Sequence, residues 1–92
     1  MKSIIQQDKC CYVCGTTYNL HRHHCVYGIG NRKQADKYGL TVWLCAEHHT
    51  GNNGVHFNKP LDLHLKCLAQ EAFEKQIGSR EDFRKVFGKS YL

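Results

Sequence analysis

The sequence predicts a small α+β domain, with two short strands in a loop-rich first half and two helices in the second. Three observations carry that expectation. Every Cys except Cys67 and every His except His64 falls within residues 10–58, together with most of the glycines. Two runs rich in β-branched and aromatic residues, 18–27 and 40–44, lie there between Gly15, Gly28 and Gly39, as strands bounded by turn residues do. From residue 59 onward, apolar side chains recur at three- and four-residue steps, the spacing of a helix face.

Each element has its own local reason. The connection 28–38 is polar and basic, with a helical turn expected before Gly39 closes it. Cys45-Ala46-Glu47-His48-His49 starts a helix that Gly51-Asn52-Asn53-Gly54 interrupts, because Gly and Asn tolerate turn geometry. Leu61, Leu65, Leu68, Ala69, Ala72, Phe73 and Ile77 form one helical stripe, with Pro60 in its first turn and Gly78 at its C′ position. Ser79 with Asp82 three residues later opens a second helix that stops near Gly88 and turns Phe83, Val86 and Phe87 inward. This stripe reads as scaffold. No linker, repeat or low-complexity segment divides residues 1–92, so one domain is expected, its ligand-rich half about 10–58 and its helical scaffold about 59–92.

A chain of 92 residues has a marginal core and benefits from a staple. Six Cys and seven His supply the means. The first seven residues carry no apolar signal core, and no apolar run approaches a membrane span. A cytoplasmic setting is therefore expected, in which thiols serve as metal ligands in preference to disulfides. The net charge of +5 suits a polyanionic partner and equally suits simple solubility.

Cys11-Tyr12-Val13-Cys14-Gly15 is a CxxC knuckle, and Cys45-Ala46-Glu47-His48 repeats its two-residue gap with a terminal imidazole. Together Cys11, Cys14, Cys45 and His48 make a Cys₃His structural zinc set, although His49 at the next position would also chelate. Cys10 could compete with Cys11 but lacks the two-residue gap. Cys25 and Cys67 are expected as small buried apolar residues. His64, on a helix, reads as an ordinary surface or hydrogen-bonded residue. His23 and His24 are adjacent in a strand, so their side chains leave on opposite faces. One can bind a metal while the next meets a water. The zinc staple would hold His49 close to that strand, and His56 follows one loop later.

These residues resemble the HNH (ββα-metal) nucleases, above all the short ones met in phages and prophages. The resemblance runs over His23-His24-Cys25, Asn31-Arg32-Lys33, residues 39–49 and Gly54-Val55-His56-Phe57-Asn58. It implies a zinc-stapled ββα-metal core with two added C-terminal helices. It further implies His23 and His49 as ligands of a catalytic divalent ion, His56 as a third ligand, and His24 as general base. The reaction implied is hydrolysis of a nucleic-acid phosphodiester, DNA being the expected substrate, in a bacterial or phage-infected cell. Products would carry 5′-phosphate and 3′-hydroxyl ends. An imidazole titrates close to neutrality, which suits a base. An all-imidazole site takes Zn, Ni, Co or Mn more readily than Mg. Arg22, Arg32, Lys33 and Lys37 are candidates for phosphate contacts, or for a merely solvated loop. Where the family places its middle Asn, this chain reads Gly39-Leu40-Thr41, so the backbone carbonyl near Leu40 or the side chain of Asn31 is expected to orient His24.

Two other readings fit parts of the sequence. A zinc-ribbon module that binds nucleic acid without cutting it accounts for the four zinc ligands and the basic loop, but gives no role to His23, His24, His49 and His56. A zinc-stapled protein-interaction domain fits the long helix. No protein partner is legible in either case.

Overall fold

Pairing of the two strand-forming runs gives an antiparallel hairpin, β1 (Leu20–His24) against β2 (Thr41–Cys45), in a computed structural model that describes residues 2–92. His23 stands opposite Val42, and Arg22 opposite Trp43. Both strands are displaced from, or shorter than, the runs that suggested them. The first begins after Asn19, whose positive φ of 52° turns the chain into the ladder. It ends at His24, beyond which Cys25 and Val26 sink completely into the core. The second starts one residue later than expected and runs through Cys45.

The connection between the strands is a full helix, α1 (Asn31–Tyr38), where the sequence suggested only a turn. Its one buried residue is Ala35, so periodicity gave little sign of it. Gly39 closes it in the left-handed conformation, with φ 72°, and the Gly39 N–H reaches back to Ala35 O and Asp36 O. After β2 come a single turn, α2 (Ala46–His49), and a short 3₁₀ turn at Val55–Phe57.

The long helix α3 (Lys59–Gln76) starts with Asn58 accepting from Leu61 N and Pro60 in its first turn. Leu65, Ala69 and Phe73 are its buried apolar residues, while Ile77 lies past the helix end and is exposed, against expectation. The α4 helix (Arg80–Phe87) carries the Ser79–Asp82 capping box and stops at Gly88. Gly78 is tightly constrained between the two: a Cβ there would lie 2.7 Å from Asp82 Oδ2.

Phe73, Phe83 and Phe87 pack edge-on or tilted, with centroids 4.7–6.4 Å apart, and Tyr38 meets Phe73 at 5.4 Å. The core thus joins the hairpin, through Leu40, Val42 and Leu44, to the two C-terminal helices. Buried Gln70 is fully used: its amide donates to Ser90 Oγ and Glu74 Oε2 and accepts from Tyr91 N, tying down the C-terminal tail. At the opposite edge the N-terminal arm runs along β2, where Ile4 N donates to Gly39 O and Trp43 N donates to Gln6 Oε1. That arm covers an edge that would otherwise be open for pairing. No helix among the described residues is long and apolar enough to cross a membrane.

Candidate functional site

The hairpin organises two clusters of metal-ligating side chains. The first joins the knuckle to the end of β2. Gly15, with φ 78°, lets the chain curl so that Gly15 N reaches Cys11 O at 2.8 Å, while Tyr12 N bonds Trp43 O and locks the knuckle onto β2. Ligand atoms of Cys11, Cys14, Cys45 and His48 all fall within 4.8 Å of one another. Cys14 Sγ to Cys45 Sγ is 3.9 Å, and Cys45 Sγ to His48 Nδ1 is 3.2 Å. A disulfide needs about 2.05 Å, whereas two thiolates on one tetrahedral zinc sit about 3.8 Å apart, given Zn–S bonds of about 2.3 Å. The cluster can hold a metal ion. It takes His48 and leaves His49 out, and Cys10 is likewise outside it.

Electrostatics within this cluster favour a thiolate. Burial pushes the Cys11 thiol up, but N–H groups of Cys45, Cys14 and Val13 turned toward the sulfur outweigh it and bring the group down to about 6. The Cys14 thiol is helped by the Thr16 N–H, yet burial and the neighbouring Cys11 and Cys45 sulfurs drive it upward. A second thiolate here is opposed by the first, a conflict that a bound dication removes.

The second cluster is His23, His49 and His56, again with ligand atoms within 4.8 Å of one another. Three elements build it. His23 comes from β1, His49 ends α2, and His56 is carried by the 3₁₀ turn. Gly54 makes the return possible, because a Cβ at that position would meet His49 O at 2.7 Å. Ring centroids lie 5.3–5.7 Å apart across the three pairs. His23 is 1% exposed, and its buried Nε2 has no hydrogen-bond partner. Burial, then the neighbouring His49 and His56, lower the His23 pKa to about 3; burial and His56 also lower that of His49. All of this keeps lone pairs available and protons away. An orphaned imidazole nitrogen facing two further imidazoles is a donor set that could hold a divalent metal.

This cluster opens into a cleft of about 390 Å³ whose walls include His24, Arg22 and Arg32. His24 ends β1, so it reaches the same cleft as His23 despite leaving the strand on the other side. Its Nε2 lies 3.0 Å from Asp36 Oδ1, on α1. The orienting partner is therefore neither of those expected. Asn31 Nδ2 donates to Tyr27 O at 3.4 Å, and Leu40 O accepts from Cys25 N. Asp36 also meets Arg22 Nη1 at 3.6 Å.

Of the four basic candidates, Arg22 and Arg32 line the cleft, while Lys33 and Lys37 are absent from its wall. Lys37 lies over the Tyr38 ring instead. His21, to which the sequence gave no role, sits with Nδ1 3.0 Å from His49 Nδ1, leaving His49 Nε2 as the nitrogen with no protein partner among the described residues. Cys25 is fully buried as expected, whereas Cys67 is only half-buried, its thiol donating to Tyr91 O. His64 is exposed and stacks on Tyr12. One signal for Asp36 was available: it is the sole acid between Asp8 and Glu47.

No family model matches this chain, and no curated protein or solved structure gives a significant match to it.

Proposed function

We propose that this chain is a small HNH-type (ββα-metal) endonuclease that hydrolyses phosphodiester bonds in nucleic acid, with DNA as its expected substrate. The observation that carries the reading is His23: a buried imidazole with an unpartnered nitrogen, grouped with His49 and His56, beside a second histidine held by a carboxylate. A binding module has no need of this arrangement. The order β1, β2, α2, with His48 and His49 on the short helix, supports the same reading, α1 being an insertion between the strands.

In this reading Cys11, Cys14, Cys45 and His48 hold a structural zinc. Its task is to fix the distance between the knuckle and the end of β2, and so to place His49. His23, His49 and His56 would hold a divalent ion, whose chemistry when bound would be Lewis-acid polarisation of the phosphate and stabilisation of the departing 3′ oxygen. His21 engages His49 Nδ1 and orients that ring toward the cluster. His24 is the base. Donation of its Nε2–H to Asp36 fixes the tautomer that leaves a lone pair on Nδ1, which takes the proton from the attacking water. Asp36 then stabilises the imidazolium that results. Arg22 and Arg32 line the cleft and are available to contact backbone phosphates there.

The test is supercoiled-plasmid cleavage by protein carrying its structural zinc, with Mn, Co, Ni, Zn or Mg added, followed by end-group analysis. Nicked or linear DNA with 5′-phosphate and 3′-hydroxyl ends is expected with at least one of the softer ions. Duplex binding with no cleavage under any of them would transfer the protein to the class of non-cutting zinc-ribbon modules.

A further inference from the structure

We propose that the hollow between the N-terminal arm and the outer face of the hairpin is a nucleotide subsite, in which an unpaired base stacks on Trp43 and its phosphate is held by Lys2 and Arg22, with Lys9 close by at the Trp43 ring. The hollow measures about 270 Å³ and is lined by Lys2, Gln6, Gln7, Arg22 and Trp43 among others. It is separate from the three-histidine cleft, but Arg22 lines both.

Its walls are built by specific bonds. Ser3 Oγ donates to Thr41 O, and Gln6 uses both ends of its amide, accepting from Trp43 N and donating to Cys10 O. The arm is thereby fixed along the edge of β2, with the Trp43 side chain in the wall of the hollow, and Gln7 is left exposed to offer amide hydrogen bonds. Lys9 Nζ stands 4.8 Å from the Trp43 ring centroid and the Arg22 guanidinium carbon 5.8 Å from it. A half-buried indole with exposed, mobile cations over its ring suits single-stranded nucleic acid: an incoming base takes the place of a cation on the ring face, and the displaced cation meets the phosphate that every nucleotide brings.

Position favours a nucleic-acid strand over an isolated anion. Arg22 and Trp43 are directly opposed in the hairpin register, and His24 lies two residues beyond Arg22. Arg22 also touches Asp36, the carboxylate that holds His24. A nucleotide seated on Trp43 is therefore joined through one side chain to the cleft where a neighbouring phosphate would lie. That last step rests on the nuclease reading; the binding itself does not.

Trp43 is the chain's single tryptophan, so its emission reports on the hollow alone. The experiment titrates zinc-loaded protein, with no further divalent ion, with short single-stranded oligodeoxynucleotides and oligoribonucleotides. Saturable quenching of Trp43 that weakens with salt is expected for at least one of them. Anisotropy of the labelled strand should show about tenfold weaker binding for Trp43→Leu, with recovery in Trp43→Phe. Lys9→Gln, an exposed change, should lower the salt dependence of binding. Unchanged emission at saturating oligonucleotide overturns the proposal, as does full affinity in Trp43→Leu. The absence of any binding overturns it too. Quenching without cleavage under any ion would sink the nuclease reading and keep the subsite, whereas cleavage without quenching would do the reverse.

Discussion

His23 is where burial and chemistry meet at the scale of one residue. The folded protein keeps it neutral down to about pH 3, while an imidazole in the unfolded chain protonates below its ordinary 6.5. Unfolding therefore takes up a proton between those limits. Stability rises with pH across that window, by at most about 1.4 kcal/mol per pH unit from this group, and is level above it. Urea unfolding without added divalent ion, from pH 4.5 to 7.5, should show a steeper pH slope for wild type than for His23→Asn. Equal slopes would mean that His23 is not held neutral by the fold. His24 sits on the other side of the strand and gives a different prediction. His24→Ala should lose about 10²–10⁴ in cleavage rate with duplex affinity unchanged. Asp36→Asn should lose roughly 10- to 100-fold, the range for groups that orient site imidazoles, by a fall in kcat with KM kept. A full-rate Asp36→Asn enzyme would remove the positioning role. Sequence spacing made the histidines legible one by one. Asp36 was not, because its pairing with His24 depends on a helix that polar, basic residues gave little sign of.

Elements decide which histidine does what. His48 and His49 are adjacent, and either could complete the Cys₃ set on spacing alone. The single turn of α2 separates them, sending His48 back toward the cysteines and His49 toward β1. Cys14→Ser should therefore unfold the domain or sharply lower its melting temperature, because a metal held by Cys11, Cys14, Cys45 and His48 would add a second tie between the knuckle and the end of β2 to the single Tyr12 N–Trp43 O bond. A fully stable Cys14→Ser protein would contradict the staple. Gly54 tests the second cluster by backbone alone. Gly54→Ala forces a Cβ against His49 O, so it should displace the 3₁₀ turn and weaken second-site metal binding while the first zinc stays. Helix ends were the most readable parts of the chain: Pro60, Ser79 with Asp82, and Gly88 all do what their local chemistry requires. The strand ends were less so, since β2 is bonded along its outer edge by the knuckle and the N-terminal arm, contacts distant in sequence.

For the molecule as a whole, a phenylalanine-rich helical half packs against a ligand-rich half built of short elements around one hairpin. That division was visible in composition. The closing of three separate segments round His23 was not, nor was the arm that walls the Trp43 hollow, because both arise from packing between distant parts of the chain. Catalysis, on the proposed reading, belongs to a second metal site distinct from the staple. That assignment is tested most directly by titrating protein that holds one zinc with Mn, Co or Ni, following metal content and plasmid cleavage in the same samples. Cleavage should rise in step with occupancy of the second site, and His49→Ala should keep its zinc, bind no second ion and cut nothing. Cleavage with the second site empty, or a filled second site that never cuts, would contradict the account.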